Sequence, residues 1–146
     1  MVSALVSSLH ILAFGLGLGS VFMRGIYLRR IEGDGIQRMF MADNIWGLAA
    51  LLWIATGLLR AFAGLEKGTH FYLESTMFWV KMGLFILVFS IELIPMITFI
   101  RWRIQLGRGE RVDTSRAPVL ARINDLEIVL VLAILFTASL MTRAVL

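Results

Sequence analysis

The chain has 146 residues, of which 59% are hydrophobic and 16% are charged, and its formal net charge is +4. Soluble domains usually carry about 25% charged residues, and a soluble fold of this length has too little interior to hide so much apolar surface. The composition therefore predicts an integral membrane protein. The absence of cysteine from the sequence excludes disulfides, thiolate metal sites and thiol catalysis.

Four apolar stretches follow one another along the chain, each long enough to cross about 30 Å of hydrocarbon as a helix. We predict transmembrane helices at about 2–23, 39–59, 76–100 and 119–142. The first stretch is followed directly by Arg24, without a basic n-region before it or a cleavage site after it, which argues against a signal peptide. The prediction is one all-α, integral membrane four-helix bundle formed by residues 1–146.

The positions of the basic residues predict how this bundle is oriented. The first and third links, together with Arg122 at the start of the fourth span, hold ten arginines, whereas the second link and the C-terminal end hold three basic residues. Lysine and arginine are enriched in the cytoplasmic loops of membrane proteins. The first and third links are therefore expected in the cytoplasm, with both the N and the C terminus outside.

Ionisable residues in the apolar stretches are the main functional candidates. Placing a charged side chain in hydrocarbon costs roughly 2.5–3.5 kcal/mol on insertion scales, so such a residue usually has an ion-pair partner or a functional role. Helical spacing and depth divide these residues into an inner and an outer layer. The inner layer contains Asp43, Glu92, Arg122, Asp125 and Glu127, with Arg24 and Arg101 at the same level.

Two interpretations of the inner layer are open. Arg122 and Asp125 are three residues apart and are expected to pair, whereas Asp125 and Glu127 point to different sides of their helix. The layer is therefore either an ion-pair belt that fixes helix register or, for Asp43 and Glu92 in particular, a site of proton transfer or binding.

In the outer layer, His10 and Lys81 are expected at a similar depth. A lone histidine in a membrane bundle is a candidate axial ligand for haem b, and the alternative is a core histidine that a serine or a backbone carbonyl satisfies. Met82, Lys81 or His10 of a second subunit would supply the other ligand. Lys81 and Arg60 would bind acidic groups of the cofactor, although Lys81 could instead extend toward the lipid headgroups.

The four tryptophans suggest two roles. Trp46 and Trp53 are seven residues apart on one predicted helix, which favours packing inside the bundle over contact with a planar cofactor. Trp79 and Trp102 bracket the third span, which is typical of interfacial anchors.

Several short runs resemble the signature of a bacterial family of four-helix membrane proteins without an assigned activity. The runs are Leu9-His10, Ala42-Asp43, Trp46-Gly47, Thr56–Arg60, Phe71–Leu73, Phe78–Phe85, Ile94-Pro95 and Arg101-Trp102. They cover nearly the whole chain. The resemblance implies the bacterial inner membrane as the location.

The chain is more distantly similar to the HemJ-type protoporphyrinogen oxidases, four-helix membrane proteins that carry haem b. The shared elements are a Leu-His pair early in helix one, a lysine early in helix three and an Arg-x-Asn-acidic element that opens helix four. Here these are His10, Lys81 and Arg122-x-Asn124-Asp125. Trp79 and Glu92 stand where those oxidases tend to have histidines, so the resemblance implies haem binding rather than the oxidase reaction.

The sequence thus predicts a haem b-binding, redox-linked protein of the inner membrane with His10 as the metal ligand. Quinone or a porphyrin is the expected small-molecule partner, a homo-oligomer the expected assembly, and nucleic acid is not an expected partner. One alternative is a non-catalytic structural or assembly subunit, and another is a small proton-coupled carrier that uses Asp43 and Glu92. The sequence leaves enzymatic activity open.

Overall fold

A computed structural model describes residues 1–65 and 67–143, apart from the side chain of residue 142. Within these ranges all regular secondary structure is helical, which confirms the all-α prediction for this part of the chain. The helices are α1 (Val2–Arg29), α2 (Gly35–Phe62), α3 (Thr69–Glu74), α4 (Thr76–Gly107) and α5 (Ala117–Thr142).

Among the described helices, α1, α2 and α4 are long and apolar enough to cross a membrane. Their outer faces carry many exposed leucine, isoleucine and phenylalanine side chains. Such faces suit a bilayer, where lipid replaces water as the solvent of the outer surface and the helix satisfies its own backbone hydrogen bonds. The chain is therefore a helical membrane protein. The fourth long helix, α5, carries Arg122, Asp125 and Glu127 near its start.

The helices extend beyond the predicted apolar spans. α1 continues to Arg29 instead of ending near residue 23, and α4 continues to Gly107 instead of ending near residue 100. The apolar pattern marks the part of a helix that lies in hydrocarbon. The helix itself continues into polar sequence, because its backbone N–H and C=O groups remain hydrogen-bonded there. As a result, several arginines expected in links belong to helices.

The bundle is built around α1. Close backbone packing joins α1 to α2, α1 to α5 and α4 to α5, whereas α2 and α4 meet mainly through side chains. The end of the bundle that contains the links 30–34 and 108–116 is called the arginine-rich end, and the opposite end the α3 end. Three apolar clusters fill the interior, centred on Phe99, Trp53 and Phe78 from the arginine-rich end to the α3 end.

The tryptophans follow the predictions in part. Trp46 and Trp53 are 6% and 7% exposed, which confirms packing inside the bundle. Trp79 is exposed, and its indole N–H donates to the carbonyl of Leu73 at 3.0 Å. The interfacial role predicted for Trp102 is wrong, because this side chain is 4% exposed and belongs to the core cluster with Phe99. The continuation of α4 places it inside the bundle.

Candidate functional site

Arg24 of α1 is buried and connects this helix to the other three long helices, α2, α4 and α5. The Arg24 side chain is 0% exposed. Its Nε donates to Asn124 Oδ1 at 2.8 Å, and its Nη1 donates to Asp43 Oδ1 at 2.9 Å and to Glu92 Oε1 at 2.8 Å. Nη2 donates to Glu92 Oε2 at 3.0 Å and to Glu127 Oε2 at 2.5 Å. These five residues are called the Arg24 cluster. A guanidinium has five N–H groups, so each one of Arg24 has an acceptor.

Aromatic rings and a glycine hold this arginine in place. The guanidinium carbon lies 5.9 Å from the ring centroid of Trp46 and 5.7 Å from that of Phe99, within the range of cation–π attraction. A Cβ added to Gly25 would lie 2.6 Å from Nδ2 of Asn124. Glycine at this position therefore lets α5 bring Asn124 against α1, where the Asn124 amide binds Arg24.

A second arginine extends the cluster at its edge. Arg103 of α4 donates from Nη2 to Asp43 Oδ2 at 2.9 Å and from Nη1 to Asn44 Oδ1 at 2.8 Å. Its guanidinium carbon also lies 4.6 Å from the ring centroid of Phe40. These contacts connect α4 to α2 where the two helices lack close backbone packing.

The structure brings Asp43, Glu92 and Glu127 together but leaves Asp125 outside. Asp125 is about half exposed and forms an ion pair with Arg29 of α1, so the predicted pair with Arg122 is wrong. An arginine that precedes its acidic partner on one helix has the less favourable orientation for such a pair. Arg122 is exposed on the outside of α5.

The sequence places Arg24 at the level of the inner-layer carboxylates but does not single it out as the group that binds them. A spacing of seven puts Arg24 on one face of α1 with Gly17 and His10. Gly17 and Arg24 are both buried, so this face is turned toward the interior of the bundle.

Toward the α3 end, two adjoining pockets of about 320 and 280 Å³ share one wall. Both are lined by His10, Trp53, Gly57, Ala61, Phe78 and Lys81. Together they are called the His10 pocket. The second one is a groove between α2 and α4 whose lining includes the exposed side chains of Leu58, Ile86 and Phe89. The pocket therefore opens onto the apolar outer surface of the bundle.

Hydrogen bonds connect His10 to α2. Its Nδ1 lies 2.8 Å from Thr56 Oγ1, and the Thr56 hydroxyl donates to the backbone carbonyl of Leu52 at 2.7 Å. A hydroxyl has one proton. When that proton is donated to Leu52, the Thr56 oxygen accepts from His10, and the neutral imidazole then carries its proton on Nδ1. An added Cβ at Gly57 would lie 3.3 Å from Cε1 of His10, which shows how closely the ring approaches α2.

The other three cofactor candidates line the same pocket. Arg60 and Lys81 line its first part, and Lys81 and Met82 line its second part. All three are half-buried. Lys81 Nζ lies 6.0 Å from the ring centroid of Phe85. The structure therefore places two cationic side chains and a thioether around the pocket that contains His10.

The described residues contain no group of three or more histidine, aspartate or glutamate side chains placed to hold a metal ion. A single imidazole among aromatic side chains suits a metal that brings most of its own ligands, such as a haem iron, better than a bare ion.

Comparison with known proteins gives a family and no assigned activity. No curated protein matches the sequence, and no solved structure matches it. The model of a family described as predicted membrane protein (DUF2214) matches residues 2–145. The chain therefore belongs to the DUF2214 family of membrane proteins.

Proposed function

We propose that the protein binds haem b in the His10 pocket and takes part in electron transfer within the bacterial inner membrane. The observation that carries this proposal is the contact of His10 Nδ1 with Thr56 Oγ1 at 2.8 Å in a pocket lined by aromatic side chains. With its proton on Nδ1, the imidazole would ligate a metal through Nε2. Histidines that bind metals usually donate their other ring N–H to a protein oxygen in this way.

The charges and walls of the pocket suit the remainder of such a cofactor. Arg60 and Lys81 supply positive charge for carboxylate groups, and Trp53, Phe78 and Phe85 supply apolar ring contacts. Met82, Lys81 or a second subunit's copy of His10 are the candidates for the other axial position, and the last would require a homo-oligomer.

Access from the bilayer suits a lipid-soluble partner. The groove between α2 and α4 opens among exposed apolar side chains, which favours quinone or a porphyrin as the exchanging molecule. A bound haem b would supply one-electron transfer. His10 and Lys81 are also the two pocket residues in the HemJ-type resemblance that we infer from the sequence.

An absorption spectrum tests this proposal directly. The protein would be expressed with haem supplied and purified in detergent, and we expect a Soret band. His10→Ala should abolish or shift the band, whereas His70→Ala is the matched control because the His70 side chain is 87% exposed near α3. Purified wild-type protein without a Soret band would contradict the proposal.

We also propose four transmembrane helices, with α5 as the fourth, and both termini outside. The arginine distribution supports this orientation. Because the sequence has no cysteine, single cysteines can report on it. Ser115→Cys should react with an impermeant maleimide only in opened cells, and Glu74→Cys in intact cells. The reverse labelling pattern would show the opposite orientation.

A second candidate function is a non-catalytic structural or assembly subunit. The Arg24 cluster favours it, because every N–H of that guanidinium is matched to an acceptor from another helix. The same observation argues against the proton-coupled carrier that would use Asp43 and Glu92, since Arg24 binds both of these carboxylates. Proton-linked flux in liposomes that Glu92→Gln abolishes would instead support the carrier.

A further inference from the structure

The charges in and around the Arg24 cluster do not balance. Two guanidinium groups face it, Arg24 from α1 and Arg103 from α4. Three carboxyl groups face it, one each from α2, α4 and α5: Asp43, Glu92 and Glu127. If all three were ionised, one negative charge would be left over. An uncompensated charge taken out of water costs several kcal/mol.

The hydrogen bonds show where the mismatch lies. Both oxygens of Glu92 accept from Arg24, and the two oxygens of Asp43 accept from Arg24 and from Arg103. Glu127 Oε2 accepts from Arg24. Glu127 Oε1, however, accepts no hydrogen bond from a donor among the described residues, although its side chain is 0% exposed. Five of the six oxygens are therefore occupied by guanidinium N–H groups and one is not.

We propose that the Arg24 cluster is a proton-binding site in which Glu127 takes up one proton on Oε1. The proton removes the surplus negative charge, and it breaks no hydrogen bond because Oε1 accepts none. A proton on an oxygen of Asp43 or Glu92 would displace Arg24 or Arg103. In the binding step a new O–H bond forms at Oε1, and the hydronium ion that donates the proton becomes water.

The cluster is partly exposed at its edge, which gives the proton a route to the surface of the bundle. The side chains of Asp43 and Glu92 are each 18% exposed, whereas Arg24 and Glu127 are fully buried. Asn124 makes no hydrogen bond to Oε1: its Nδ2 donates to the carbonyl of Val21 at 2.9 Å, and its Oδ1 accepts from Arg24.

This site is distinct from the His10 pocket. Arg24 and His10 are fourteen residues apart on α1, or about 21 Å along the helix. The proposal does not depend on haem, since no group of the His10 pocket takes part in it.

Infrared spectroscopy of the full chain in lipid nanodiscs tests it. A neutral carboxyl group has a carbonyl stretch at a higher frequency than the bands of a carboxylate. At neutral pH we expect one such band per chain, and Glu127→Gln should remove it. Asp43→Asn and Glu92→Gln should each remove it too, because two carboxylates then match two guanidinium groups. Asp125→Asn is the matched control, since Asp125 pairs with Arg29 outside the cluster, and it should keep the band.

Several outcomes would overturn the proposal. A wild-type protein without the band has a fully ionised cluster. If its thermal stability also rises with sodium chloride but not with choline chloride, a cation occupies the site instead of a proton. A band that persists in Glu127→Gln places the proton on another group. Should that variant fail to fold, the Asp43→Asn and Glu92→Gln variants still test the charge count, because a band retained in both contradicts it.

Discussion

The Arg24 cluster and the His10 pocket lie on the same face of α1, yet they use their polar groups in opposite ways. In the Arg24 cluster, side chains from four helices meet and all five N–H groups of the arginine are bound by protein acceptors. In the His10 pocket, the polar groups line open volumes of about 320 and 280 Å³. Polar residues matched to one another hold helices together, whereas polar residues around open space are available to a ligand.

The largest expected effect comes from removing the centre of the Arg24 cluster. Arg24→Gln leaves three buried or partly buried carboxyl groups facing one remaining arginine, Arg103. Breaking a buried ion pair by removing one partner typically costs about 3–5 kcal/mol. We therefore expect a loss of that size in the free energy of unfolding, measured by denaturant titration in detergent micelles.

The control for this experiment is Arg29→Gln. Arg29 is 48% exposed and pairs with Asp125, which is 51% exposed. Exposed ion pairs contribute at most about 1 kcal/mol, so this variant should remain close to the wild type. Equal losses in the two variants would mean that burial does not distinguish the two arginines.

A smaller loss is expected where α5 approaches α1. Gly25→Ala adds a Cβ that would lie 2.6 Å from Asn124 Nδ2 and 3.1 Å from Arg29 Nη1. Asn124 is held by hydrogen bonds to Arg24 and Val21, so it cannot move aside without breaking them. Overpacking of this kind typically costs about 1–3 kcal/mol.

Gly47→Ala, one turn after Asp43 on α2, is the matched control. An added Cβ there would meet no atom within 4 Å. Because alanine favours a helix over glycine by about 1 kcal/mol, this variant should be as stable as the wild type or more so. If Gly25→Ala left the stability unchanged, α1 and α5 would be farther apart at this position than in the structure.

The inner layer shows how far the sequence could predict the structure. Apolar composition predicted the membrane class, and helical spacing separated Glu127 from Asp125. It did not predict which arginine binds the carboxylates, because Arg24, Arg101 and Arg122 lie at similar depths. The choice depends on how each helix is rotated about its axis. Helix rotation is determined by packing, here by the close approach at Gly25 and the rings of Trp46 and Phe99.

The outer layer was predictable in its residues but not in its shape. Depth along the helices placed His10 and Lys81 at one level, and both line the same pocket. The second part of the pocket lies between α2 and α4, which lack close backbone packing. Helical spacing along one stretch of sequence does not give the distance between two helices. Thr56, the partner of His10, lies 46 residues away in the sequence. Nothing in the sequence distinguishes it from other helix residues, because the contact exists only once α1 and α2 pack side by side.

The smallest expected change in stability is in the His10 pocket. Thr56→Val keeps the shape of the side chain but removes the oxygen that lies 2.8 Å from His10 Nδ1. A single hydrogen bond contributes about 0.5–1.5 kcal/mol, so the loss of stability should fall in that range. Thr56→Ser keeps the oxygen and should retain the wild-type tautomer. In ¹⁵N NMR spectra of the imidazoles, with exposed His70 as the internal reference, the His10 proton should leave Nδ1 in Thr56→Val alone. If it stays on Nδ1 in that variant, another group determines the tautomer, and Thr56 no longer explains why Nε2 would be the ligand atom.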